Sequence, residues 1–208
     1  MSLKSQGLMH APELAIGDGA LGFWKALKQV FPGTREQRCT VHKTANVLNK
    51  MPKSVQPQAK NLLHEIWRAP TKDDAGKAFD LFEKTFDAKY ESAVKCLTKD
   101  RNVLLTFFDF PAENWCHIRT TNPIESTFAT IRLRHRKTKG NGSAKASLTM
   151  MFKLAQSAEK GWRKLRGHHH IPELIRGVKF VDGINENHIT EEDNQTYPNS
   201  TIQTDIVA

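Results

Sequence analysis

A chain of 208 residues, 38% hydrophobic and 25% charged, is long enough for one domain with an insert and too apolar to be disordered throughout. Thirty-one Lys and Arg against 22 Asp and Glu leave a formal charge of +9, which points to phosphate, as nucleic acid or anionic membrane, with a merely cationic solvated surface as the bland alternative. No apolar run reaches the length of a membrane span, three cysteines make no even disulfide framework, and residues 1–9 carry no secretion signal, so a soluble protein of the reducing cytoplasm is expected.

In chain order, residues 13–16 read as a short strand ending at Gly17-Asp18-Gly19. A helix with Leu21, Trp24, Leu27 and Lys28 near helical spacing follows, stopped by Pro32-Gly33. Residues 37–42 are rich enough in β-formers to be a second strand, and strand–helix–strand is what an α/β sheet contributes. From Thr44 to about Phe110 the pattern is helical. Leu62, Leu63, Ile66 and Trp67 form one apolar series. Thr71-x-x-Asp74 resembles a capping box ahead of Phe79, Phe82, Phe86 and Tyr90, which are spaced as core residues. Val103, Leu104, Phe107 and Phe108 predict one more helix.

Asn122-Pro123-Ile124-Glu125 then opens a helix, with Asn122 as the supporting N-cap, Pro at the first position and Glu at the third. It runs to about Arg136. A glycine-broken basic turn over 137–143 precedes a longer helix with Leu148, Met151, Ala155, Ala158, Trp162 and Leu165 in a near-heptad stripe, ended by Gly167. Beyond Asn187 there is no Lys or Arg and little apolar bulk, so residues 187–208 are expected to be disordered.

Two carboxylates carry the chemistry. Asp18 follows a strand between glycines, open to a metal and its phosphate, or free to cap the next helix. Glu125 suits a capping box, yet helical spacing also puts it on one face with Ala129, Arg132 and Arg136. Arg132 lies two turns on, about 10 Å along the axis, the scale of the next phosphate or two. Hard oxygen ligands favour magnesium or manganese over zinc, and two such ions about 4 Å apart hold the attacking and leaving oxygens of phosphoryl transfer. The basic residues Arg132, Arg134, Arg136, Lys137 and Lys139 begin a run to Arg166 opposed only by Glu159, the composition of a sequence-independent grip on DNA backbone.

Other candidates are weaker. Cys39-x-x-His42 with Cys116-His117 offers four zinc ligands, but the second pair is adjacent, an awkward spacing for a tetrahedral site, so a packed Cys39 and a hydrogen-bonding His42 are the better reading. Trp115 could stack on an extruded base, but core packing is the commoner fate. His168-His169-His170 after a glycine reads as a loop.

The stretches Ile16-Gly17-Asp18-Gly19-Ala20-Leu21-Gly22-Phe23-Trp24, Gln37-Arg38-Cys39-Thr40-Val41-His42-Lys43 and Arg119-Thr120-Thr121-Asn122-Pro123-Ile124-Glu125-Ser126 resemble, in order and spacing, the mutator-type transposases of bacterial insertion sequences, as does Trp162-Arg163 further on. The resemblance runs from about Leu3 to Glu186. It implies a ribonuclease-H-like core with a catalytic Asp-Asp-Glu triad and an all-helical insertion before the Glu. It also implies Mg²⁺ or Mn²⁺ as cofactor, DNA at element ends and target as partner, and a homo-oligomer in the intact enzyme. By position, Asp18 matches the second aspartate and Glu125 the glutamate, both as metal ligands. Cys39 and His42 match a Cys-x-x-His signature, and Arg132 the basic residue on the glutamate's helix.

The first aspartate of such a triad would lie upstream of Met1. The expected fold is therefore α/β and mostly helical, a partial ribonuclease-H-like core (1–43) lacking its first strands, an all-helical insertion (44–118), C-terminal core helices (119–186) and the tail (187–208). A sheet edge and some apolar surface would be left uncovered. The expected function is the C-terminal part of a transposase, inactive alone in DNA cleavage and strand transfer, located in the cytoplasm on the nucleoid. The alternatives are a non-catalytic remnant that binds DNA or intact transposase, and a zinc-structured helical domain.

Overall fold

The computed structural model describes residues 2–138 and 142–188. A short helix α1 (Ser2–Ser5) precedes β1 (Leu14–Gly17), α2 (Leu21–Val30) and β2 (Arg35–Arg38). The strands pair in parallel with Leu14 opposite Arg35 and Gly17 opposite Arg38, so α2 is the crossover. Trp24, Leu27 and Phe31 turn one side of that crossover onto Ala15 of the sheet. Among the described residues β1 pairs with β2 alone. The far edge of β2 is closed by side chains instead. Thr106 Oγ1 donates to Glu36 O at 2.7 Å, and the fully buried Gln37 donates to Leu104 O at 3.1 Å while accepting from Phe107 N at 2.8 Å.

The second strand expected over 37–42 is corrected. β2 ends at Arg38, and Thr40 already begins helix α3 (Thr40–Leu48). The β-branched Thr40 and Val41 favour a strand locally. The helix wins because its open first turn finds a distant acceptor: Thr40 N and Oγ1 both donate to Arg119 O, at 3.0 and 3.1 Å.

Helices α3, α4 (Gln56–Arg68), α5 (Lys72–Thr98), α6 (Arg101–Leu104) and α7 (Trp115–Ile118) enclose the main core. Val47, Leu63, Ile66, Phe79, Phe82, Leu97, Leu104, Phe107 and Phe108 are its centre. The aromatic series on α5 is core, as its spacing predicts, and Tyr90 marks a kink (φ −133°, ψ 43°). Thr71 Oγ1 accepts from Asp74 N at 3.1 Å, so the predicted cap is present. The architecture is α/β, mostly helical, with short strands, and no described helix is long and apolar enough to cross a membrane.

The chain then forms a hairpin of α8 (Asn122–Lys137) and α9 (Ala144–Glu159), followed by α10 (Ile171–Ile175) and a two-stranded ribbon of β3 (Phe180–Val181) and β4 (Ile184–Asn185). The ribbon's tip docks on the helical block, with Gly183 N donating to Phe108 O and Asp182 accepting from Lys72 N. Two local expectations change here. Thr121, not Asn122, is the N-cap of α8, since its carbonyl accepts from the amides of Ile124 and Glu125. The α9 stripe also stops short: Trp162 and Leu165 lie beyond the helix and are exposed, because Asn114 Nδ2 holds Arg166 O at 2.6 Å and His117 Nε2 holds Arg166 N at 3.0 Å, drawing the chain off the helical path. Lys139 and residues 189–208 lie outside the described residues, and so does most of the segment expected to be disordered.

Candidate functional site

Asp18 sits on the turn that leaves β1. Its Oδ1 accepts from Ala20 N at 3.1 Å, which shapes the turn, but Ala20 occupies the N-cap of α2, so Asp18 is not the cap. Gly19 has φ +106°, and the Arg38 guanidinium fills the space where a side chain would start, with Nη1 nearest to it. Gly19→Ala is therefore expected to cost about 1–3 kcal/mol, from the positive φ and the displaced arginine together, and to move the Asp18 turn. Urea unfolding checks the cost; an unchanged midpoint overturns it.

Across from this turn, Cys39 and His42 share one side of the first turn of α3. Cys39 is buried, with Sγ 3.2 Å from His42 Nδ1. Thr121, at the start of α8, reaches the same place: its N and Oγ1 each lie 3.4 Å from Cys39 Sγ, and Oγ1 lies 3.4 Å from His42 Nδ1. The Thr121 hydroxyl also contacts Glu125 Oε1 one helical turn on, and that oxygen is 3.8 Å from His42 Nδ1. Glu125 thus reaches back to a hydroxyl, not to a cap amide.

The electrostatics fit this cluster. Burial pushes the Cys39 thiol up, but hydrogen bonds with Thr121 and His42 outweigh it and hold the group below the ordinary thiol value. His42 is raised, first by its hydrogen bond to Cys39 against an opposing burial effect, and then by the charges of Cys39, Glu125 and Asp18. Both carboxylates therefore act on one imidazole. Each keeps an oxygen, Oδ2 of Asp18 and Oε2 of Glu125, with no hydrogen bond among the described residues. Two accessible hard oxygens of this kind suit Mg²⁺ or Mn²⁺.

Residues 1–164 match the family described as Transposase, Mutator family. The chain belongs to the mutator family of transposases. It is 52% identical over 194 residues to the transposase for insertion sequence element IST2 of Acidithiobacillus ferrooxidans, covering 93% of this chain and 66% of that protein. It is 53% identical over 175 residues to the transposase for insertion sequence element IS6120 of Mycolicibacterium smegmatis, covering 84% of this chain and 54% of that one. The chain thus spans between half and two thirds of the length of these relatives.

In this family member the segment before Glu125 is held from several sides. Arg119 Nη1 donates to Trp67 O at 2.8 Å, Arg119 O receives Thr40, and Thr120 Oγ1 accepts from Asn122 N at 3.1 Å. Asn122 itself is exposed and enters through its backbone. Thr121, Thr40, Arg119 and Arg38 were missed as site residues by sequence reasoning. The available signal was their place inside the same short motifs, with Thr121 four residues before Glu125 on one helical face.

Arg132 lies with Glu125 on a groove of about 380 Å³ between α8 and α9, whose floor is Phe128, Ile131, Met151 and Ala155. Arg136 continues that face with Ala129, whereas Arg134 points to the other side of α8 and Lys137 ends the helix. Trp115 packs in the core against Phe107 and Phe108, with Nε1 donating to Phe110 O at 2.8 Å. Among the described residues Cys39, His42, Cys116 and His117 do not converge as metal ligands; Cys116 is exposed and His117 is engaged with Arg166.

Proposed function

We propose that this chain supplies the second aspartate and the glutamate of a three-carboxylate site for DNA transposition, with β1, α2 and β2 as part of a ribonuclease-H-like core. In this reading the site cleaves DNA at an element end and joins the freed 3′ hydroxyl to target DNA. The observation that carries the reading is the joining of α8 to the β2–α3 junction through Thr121, which sets Glu125 beside His42, while Arg38 of the same junction packs on Gly19, next to Asp18.

Asp18 and Glu125 would hold the divalent metal, which supplies Lewis-acid stabilisation of charge on the phosphate and its leaving oxygen. Thr121 fixes the rotamer of Glu125, and the Cys39–His42 pair fixes Thr121. Arg132 and Arg136, on the face that Glu125 begins, neutralise successive phosphates and align the strand.

The test is duplex affinity with and without a divalent ion. Two carboxylates repel phosphate when bare and attract it when bridged by metal. Binding of a duplex bearing the element's end is therefore expected to tighten in Mn²⁺ or Ca²⁺, and Asp18→Asn or Glu125→Gln should remove that gain. Binding that depends on salt, ignores the metal and survives Glu125→Gln would instead mark a non-catalytic DNA-binding segment.

A further inference from the structure

Away from the carboxylates, the chain passes Gly167 (φ +65°) and forms a single 3-10 turn, His168–His170, before α10. An ideal Cβ on Gly167 would lie 2.6 Å from Asn114 Nδ2, so this turn is pressed directly onto the one that precedes α7. The contact brings together donors far apart in sequence. One ring nitrogen each from His169 and His170 and a carboxylate oxygen of Glu113 lie within 4.8 Å of one another. His169 Nε2 is 3.9 Å from Glu113 Oε1, and the His169 and His170 rings are 4.2 Å apart, tilted by 43°. Behind them, Glu173 Oε2 is 2.8 Å from His170 Nδ1.

We propose that Glu113, His169 and His170 form a Zn²⁺ site, with solvent completing the shell and Glu173 orienting His170. Two imidazoles with one carboxylate make a borderline donor set that suits zinc, whereas the all-oxygen pair Asp18 and Glu125 suits magnesium. A carboxylate behind a ligating histidine is a recurrent way of fixing ring orientation and raising basicity. The ligands come from two segments that the hydrogen bonds of Asn114 and His117 to Arg166 already align, so little ordering remains when the ion binds. The His169 and Glu113 side chains are more than half exposed, so the ion has access from solvent and only side chains need to close on it. Its effect is to staple the segment from Gly167 to α10 onto the helical block. The site is independent of the proposed DNA chemistry.

The experiment is calorimetric titration of ZnCl₂ into the full chain, purified without a polyhistidine tag, with Co²⁺ absorption as a second probe. One equivalent should bind in the micromolar range and raise the unfolding temperature, and excess Mg²⁺ should not displace it. The Co²⁺ complex should show d–d bands and no thiolate charge-transfer band. His169→Ala and Glu113→Gln should each weaken binding at least tenfold, and Glu173→Gln, which leaves all three ligands in place, by about 10- to 100-fold. Absence of saturable binding, binding untouched by these substitutions, or a thiolate band would each overturn the site. Should a ligand variant fail to fold, the Glu173→Gln result decides.

Discussion

Glu125→Gln is expected to reduce Mg²⁺-dependent nicking of an element-end duplex to background while duplex binding in the absence of divalent ions is retained. The measurement uses this chain joined to the residues of the Acidithiobacillus ferrooxidans relative that lie outside the aligned region, since the chain covers 66% of that protein. Glutamine keeps the shape of the side chain and can still accept from the Thr121 hydroxyl, so the start of α8 is preserved. The charge that would hold the metal is what disappears. Thr121→Val makes the complementary change: Glu125 keeps its charge and loses its hydroxyl partner, as do Cys39 and His42. Removing such an outer support is expected to cost about 10- to 100-fold in rate or metal affinity, with Thr121→Ser recovering most of it. A Glu125→Gln protein that nicks DNA as fast as its parent would remove Glu125 from the site.

A second large effect is expected at a carboxylate that is not proposed to hold metal. Lys43, in the first half of α3, is 1% exposed, and its ammonium donates to Cys96 O at 2.8 Å and contacts Asp100 Oδ2. Arg38 Nη2 lies 3.6 Å from the same oxygen. Asp100 thus balances a buried lysine and a largely buried arginine at the seam between β2, α3 and the end of α5. Asp100→Ala leaves Lys43 without a counter-charge in a place water barely reaches, at an expected cost near the lower end of about 3–5 kcal/mol, because the Asp100 side chain is itself 21% exposed. Lys43→Met should cost less, since the apolar stem is replaced in kind and Asp100 keeps Arg38. Urea unfolding of the two variants checks the order. Lys43→Met proving the more damaging of the two would mean that the lysine's own hydrogen bonds, not its uncompensated charge, dominate.

These two predictions draw on the same stretch, residues 37–43, which shows what a sequence reading reaches and what it does not. Cys39 and His42 are visible there as a pair, because Cys-x-x-His is a familiar ligand spacing and a signature of the family that the stretch resembles. Their helix is not visible, because Thr40 and Val41 favour a strand and the acceptor that overrides them, Arg119 O, lies 79 positions away. Gln37 and Lys43 are polar side chains whose burial nothing local announces, and both are buried, since their partners come from α5, α6 and the turn after it. The same holds at the far end of α9, where periodicity continues past Glu159 but two tertiary hydrogen bonds to Arg166 pull the chain away.

Local order was legible. The crossover helix α2, the cap at Thr71, the aromatic core of α5 and the basic face of α8 all follow from spacing, because burial on a helix repeats every three to four residues and each cap is made within one turn. The two carboxylates were also legible as residues, each with an ordinary capping role as its rival. Folding removes the capping roles. Asp18 leaves the N-cap to Ala20, and Glu125 turns to Thr121, which in turn rests on Cys39 and His42 from 79 to 82 positions away. Spacing specifies which residues share a helix face; only the packing of α8 against α3 specifies which faces meet, and a site assembled from two such faces exists only once they do.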